Sequence, residues 1–182
     1  MKTRNLPLAV LALATVVFGA AQLYAAVTES STNVPLAIPD AGSVNSTLNF
    51  SVSGTISDAN LTFTITHGWD SDVAVSLTSP TIAIQLLVQN CGGSADNFTN
   101  TTIDEDAAAM TCAGTTGPPF TGSFQSPAAG TMDAFDGSAS GGVWTLTAAD
   151  DSAIITGTLN SWSLTLDGAP PLPVELMSFE IN

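Results

Sequence analysis

The chemistry this sequence offers is mostly that of oxygen. It contains 16 acidic residues, and its only two basic residues, Lys2 and Arg4, sit at the start. Asp70 and Asp72 bracket a serine in Trp69-Asp70-Ser71-Asp72, Asp96 follows Gly92-Gly93, and Asp104-Glu105-Asp106 form a run. Hard carboxylate and carbonyl oxygens suit Ca²⁺. If strands 60–68, 73–78 and 82–90 run antiparallel in sequence, the turn at 69–72 and the loop from Cys91 fall at one end. Asp70, Asp72, Asp96, Asp104, Glu105 and Asp106 are then the candidate Ca²⁺ ligands. No EF-hand spacing accompanies them. The competing reading is turn aspartates that satisfy their own backbone.

Other chemistries have fewer residues to draw on. A Ser-His-Asp triad needs a histidine as general base, and His67 is the only one. It closes the stretch LTFTITH, which favours a structural role, and no G-x-S-x-G elbow occurs. One histidine and two cysteines do not make a zinc site. Among the tryptophans, Trp144 and Trp162 fall in phase with Leu146 and Leu164 and belong to a core. Trp69, at a turn, is the candidate contact for a glycan or protein.

These residues need a framework, and the chain supplies one in β-structure. Lys2 and Arg4 precede an apolar run from Leu6 to about Ala21, the pattern of a secretory signal peptide over residues 1–25, cleaved after Ala21 or Ala25. The exported chain carries all 16 acids and no Lys or Arg, a formal charge of 0 − 16 = −16. Such a surface repels phosphate backbones, which excludes nucleic-acid binding. In an oxidising compartment Cys91 and Cys112 are expected to form a disulfide. Period-two alternation recurs at Leu48, Phe50, Val52; Leu61, Phe63, Ile65; Val73, Val75, Leu77; Ile82, Ile84, Leu86, Val88; Trp144, Leu146; and Trp162, Leu164, Leu166. Short strands separated by Gly, Pro, Asp and Ser predict an antiparallel all-β sandwich or jelly roll. The connection from Cys91 to Pro119 is the long exception, with one helical turn allowed over Asp104 to Met110. A single domain over residues 31–168 is expected, followed by an extended tail, 169–182.

Several stretches in order carry a family resemblance: Ile38-Pro39-Asp40, the ITH stretch with Asp72 before a strand and an SP turn, Pro119-Phe120-Thr121-Gly122, Gly142-Val143-Trp144-Thr145-Leu146, and Gly157-Thr158-Leu159-Asn160-Ser161-Trp162-Ser163-Leu164. Together they resemble the P domain, or Homo B domain, of subtilisin-like proprotein convertases and related secreted bacterial peptidases. The resemblance implies a jelly-roll, galactose-binding-like β-sandwich that stabilises a subtilisin-like serine peptidase and influences its calcium and pH response. The chain departs from such peptidases in lacking every triad motif. The expectation is therefore a secreted, stand-alone, non-catalytic module of bacterial type whose partner is a separately encoded peptidase or another extracellular protein. The alternative is a glycan- or protein-binding module.

Overall fold

The computed structural model describes residues 26–51, 53–113 and 117–168. The expected leader 1–25, Val52 and the expected tail 169–182 lie outside these residues. Among the described residues ten strands follow in chain order: β1 (Val27–Ser30), β2 (Leu36–Ile38), β3 (Ser43–Phe50), β4 (Asp58–His67), β5 (Val73–Thr78), β6 (Gln85–Val88), β7 (Phe98–Ala109), β8 (Phe120–Gln125), β9 (Gly142–Asp150) and β10 (Gly157–Asp167). One sheet has the order β1-β10-β4-β7-β8, with β2 also on β10; the other has the order β3-β9-β5-β6. All pairs are antiparallel except β7 with β8. The result is the expected all-β sandwich, with that parallel pair as an addition.

Alternation decides which side chains fill the space between the sheets. Ala59, Leu61, Phe63 and Ile65 of β4 face Trp144, Leu146 and Ala148 of β9 and the buried β5 residues in one continuous core. On β10 the parity changes: Leu159 is buried, and so are Trp162, Leu164 and Leu166. A bulge between Leu159 and Ser161 absorbs the extra residue and keeps both halves facing inward. Trp144 is fully buried, packs edge-on to Phe50 and Phe135, and donates its indole N–H to the Ser140 carbonyl at 2.9 Å. Trp162 donates to Ser46 Oγ at 2.7 Å, so neither buried indole leaves its donor unmet.

Two expectations fail, for local reasons. Ile82 and Ile84 do not extend β6; the Thr81 and Ile82 N–H groups donate to Ser79 Oγ, a turn that holds them off the ladder and leaves Ile84 exposed. The segment from Cys91 to Pro119 is not one long loop, because it contains the twelve-residue β7, and residues 104–109 are strand rather than a helical turn. Ile103 and Ala108 both pair with Phe124, so residues 104–107 bulge from the ladder with β8. Pairing of Phe98, Thr101, Thr102 and Ile103 with both β4 and β8, and of Ala108 and Ala109 with β8, holds the strand on either side of the acidic run and outweighs its weak helical propensity.

Candidate functional site

β4 ends at His67, and a 3-10 helix over Asp70–Asp72 leads across into β5 in the other sheet. This corner is stitched to the loop after β6: Asp70 N–H donates to Ala95 O at 3.0 Å and Ser71 N–H to Gly93 O at 3.1 Å. The Cys91–Cys112 disulfide forms, as expected, and ties that loop to the end of the β7 segment. Gly92 has φ +86°, and a Cβ there would lie 2.8 Å from Asp70 Cβ and 2.9 Å from Pro118 Cγ. Only glycine lets the loop pass so close.

Asp70 and Asp72 face different surroundings. Asp70 is fully buried; its Oδ1 accepts the Asn97 N–H at 2.8 Å, while Oδ2 has no partner. Burial is the main reason its carboxyl is pushed up to about 7; the Asn97 hydrogen bond opposes this, the Asp96 carboxylate adds to it, and His67 counteracts it weakly. Asp72 is half-buried and lines an outer cleft of about 400 Å³ with Trp69, Ser152, Ala153, Ile154 and Ile155. Trp69 is 43% exposed there, and Ile154 is 91% exposed.

His67 holds the two regions together. Its Nδ1 lies 2.7 Å from the Trp69 carbonyl oxygen and its Nε2 3.3 Å from Asp150 Oδ2, with both side chains buried. A proton on Nδ1 would serve the Trp69 carbonyl, whereas the bare nitrogen would accept the Trp69 N–H at 3.2 Å, so the tautomer decides which bond forms. Gly157 closes over the ring, since a Cβ there would meet His67 Cδ2 at 2.7 Å. Asp150 in turn accepts the Ser152 N–H at 3.0 Å, which starts the cleft loop. Asp150 and Ile154 carry no local signal that would join them to His67: they lie 83 and 87 positions after it, and adjacency in space leaves no mark at that separation.

The six carboxylates expected to share one site are divided. Asp70 and Asp96 are neighbours, and Asp72 shares the 3-10 helix but faces the cleft. Asp104 and Asp106 lie beside Asp58 at the opposite end, because β7 runs antiparallel to β4 and pairs Ile103 with Leu61 but Phe98 with Ile65. Glu105 is tied by hydrogen bonds instead: its Oε1 accepts the Met132 N–H at 3.1 Å. Among the described residues, no three His, Cys, Asp or Glu side chains gather as a metal cluster. At that far end burial raises the pKa of Asp58 above the usual carboxylate value, against a backbone hydrogen bond, with Asp167, Asp104 and Asp106 adding repulsion. Asp136 is raised by burial and then by Asp133, Asp58 and Asp106.

The two-sheet sandwich thus carries a buried histidine–carboxylate pair behind an exposed cleft, and comparison with known proteins makes its class specific. A family model, the proprotein convertase P-domain, matches residues 56–166. The chain belongs to the proprotein convertase P-domain family, a family of domains associated with proteolysis. Its fold is similar to two solved structures of a serine protease of Aeromonas sobria, one in complex with the chaperone ORF2 (TM-score 0.52) and one of the protease itself (TM-score 0.50). Both are 15% identical over 80% of this chain, which spans 27% of the length of either. No curated protein matches the sequence. Among the described residues no helix is long and apolar enough to cross a membrane.

Proposed function

We propose that this chain is a secreted, non-catalytic P domain that docks on a subtilisin-like serine peptidase and stabilises it. The observation that carries this reading is the family match over residues 56–166. The leader-like residues 1–25 support export. His67, the one histidine, has both ring nitrogens committed to Trp69 and Asp150 in a buried setting, which leaves it no face from which to activate a hydroxyl. Fold kinship alone supplies no site.

Calcium is the finer part of the proposal, and its candidate ligands narrow to Asp70 and Asp96. The buried, unpartnered Oδ2 of Asp70 and the Asp96 carboxylate near it are the donors a cation would take, beside the Gly93 and Ala95 carbonyls. Ca²⁺ and a proton would compete for Asp70, so stabilisation by millimolar Ca²⁺ should grow from pH 6 to pH 8. An unchanged melting temperature at pH 8 removes calcium from the proposal.

The test of the main reading is capture and assay. The tagged mature chain, incubated with the native secretome, should retain a subtilisin-like peptidase whose melting temperature rises on binding, and should not hydrolyse casein itself. Casein hydrolysis by the pure chain, abolished in His67→Ala, would overturn it. A second reading, an extracellular glycan- or protein-binding module, is favoured by the exposure of Trp69 over the cleft. A glycan array with no Trp69-dependent signal counts against its sugar form.

A further inference from the structure

The cleft outside the His67–Asp150 pair joins three features that the accessory-domain reading leaves unused. Its walls are apolar: the indole of Trp69, 43% exposed, and the side chains of Ile154 and Ile155. The charged group in its lining is the carboxylate of Asp72, and its surroundings are acidic too. Asp40 Oδ1 accepts the Ile154 N–H at 2.7 Å, and Asp151, on the same loop, donates its N–H to Asp72 O at 2.8 Å. Finally, Ile154 holds φ +96° with its side chain 91% exposed. A β-branched residue rarely adopts that backbone, and within this molecule its side chain gains no burial in return. Such a posture is consistent with a side chain set to be covered by something else.

The charge of the occupant follows from the sequence. Residues 26–182 contain no Lys or Arg, and the one histidine is buried and engaged. No Lys or Arg of the mature chain, or of a second mature copy, is available to meet Asp72. An aromatic face beside a carboxylate, with aliphatic walls, matches a side chain that has an apolar stem and a delocalised positive head. Its volume of about 400 Å³ suits one or two side chains rather than a long segment. We propose that the cleft formed by Trp69, Asp72, Ile154 and Ile155 is the docking site for an arginine side chain, flanked by an aliphatic residue, on the surface of a partner protein. This deepens the accessory-domain reading and rests on it for the kind of partner.

Two synthetic probes test it with the purified full-length exported chain: the fluorescein-labelled peptide Gly-Leu-Arg-Leu-Gly and its counterpart with citrulline, which keeps the shape and removes the charge. Fluorescence anisotropy should show saturable binding of the arginine peptide, weaker by about fivefold or more for citrulline. Trp69→Ala and Asp72→Asn should weaken the arginine peptide by about fivefold each and bring it toward the citrulline value. Ile154→Gly guards against misfolding as an explanation, because glycine accepts φ +96° freely; it should lose affinity while its melting temperature holds or rises. Val143→Ala, an exposed apolar site outside the cleft lining, should bind like the parent. Equal affinity for the two peptides, no binding of either, or parental binding by both Trp69→Ala and Ile154→Gly would overturn the proposal. So would a Trp69-dependent response to cellohexaose in place of the arginine peptide. If a peptidase is captured equally well by the parent and by these variants, the accessory reading stands and the arginine site falls. If the arginine peptide binds as described but no peptidase is captured, the site stands and that reading falls.

Discussion

The two ends of the sandwich use the same residue type in opposite ways. At the end near His67 a single carboxyl, Asp70, is sealed beneath a disulfide-tied loop with one oxygen unpartnered, and the exposed surface beside it is aromatic and aliphatic. At the other end Asp58, Asp104, Asp106, Asp136 and Asp167 repel one another near the surface, with no Lys or Arg beyond Arg4 in the sequence to offset them. Charge counted along the sequence would rank the second end higher as a site. Placement ranks the first higher, because burial is the largest cause at both ends and is complete at Asp70, whereas Asp58 is half-buried and Asp136 exposed.

The largest expected effect breaks this contrast at Asp70. In the unfolded chain the carboxyl loses its proton near the ordinary aspartate value of 3.8, whereas the folded chain keeps it until about 7. Stability therefore falls as pH rises from about 4 and the loss is complete above about 7, with an upper bound of about 4 kcal/mol. Asp70→Asn removes the titrating group but keeps an oxygen for the Asn97 N–H. Its melting temperature should fall less than the parent's between pH 5 and pH 8. The general repulsion of a highly acidic chain acts on both proteins, so the difference between their slopes isolates Asp70. Parallel slopes would mean that Asp70 is ionised in the fold at little cost.

The disulfide comes next. Cys91 and Cys112 are separated by 21 positions, and closing a loop of that size stabilises a fold by about 3 kcal/mol on the chain-entropy account. The Cys91→Ser/Cys112→Ser double variant should melt about 10 °C lower. If the disulfide is also what keeps Asp70 dry, that variant should lose part of the pH slope. Calorimetry at pH 5 and pH 8 reads both effects together, and an unchanged slope would assign the sealing to Gly92 and the Asn97 contact alone.

Much of this arrangement could be read from local pattern. Trp162, Leu164 and Leu166 share a face by parity, and the inward rows of β4 and β9 follow from the same rule. Leu159 joins that core only through the bulge before Ser161, which alternation does not foretell. The acidic run was misplaced because its position depends on which strand β7 pairs with, a long-range choice that Asp104, Glu105 and Asp106 do not encode themselves. Asp70 could be singled out as a turn aspartate, but not as the buried one of the pair. A helical turn of three residues sends Asp70 and Asp72 to different sides, and only packing decides which side is inside. Ile154 carried no signal at all, since nothing in its residue type suggests a positive φ.

The smallest effect belongs to the far end and sharpens the comparison from the other side. Asp104 and Asp106 act on Asp58, and Asp106 also acts on Asp136, through repulsion that water and salt screen. The Asp104→Asn/Asp106→Asn variant should gain only about 0.5 kcal/mol at low ionic strength, and nearly all of that should vanish in 1 M salt. NMR titration should find Asp58 moved down toward its usual carboxylate value but still above it, because burial, which the variant leaves in place, is its largest cause. The Asp70 slope should be untouched, since none of its named influences comes from β7 beyond Phe98. A change at Asp70 in this variant would mean that the two ends are electrically coupled through the core, and that the chain's acidity acts as one field rather than as two separate sites.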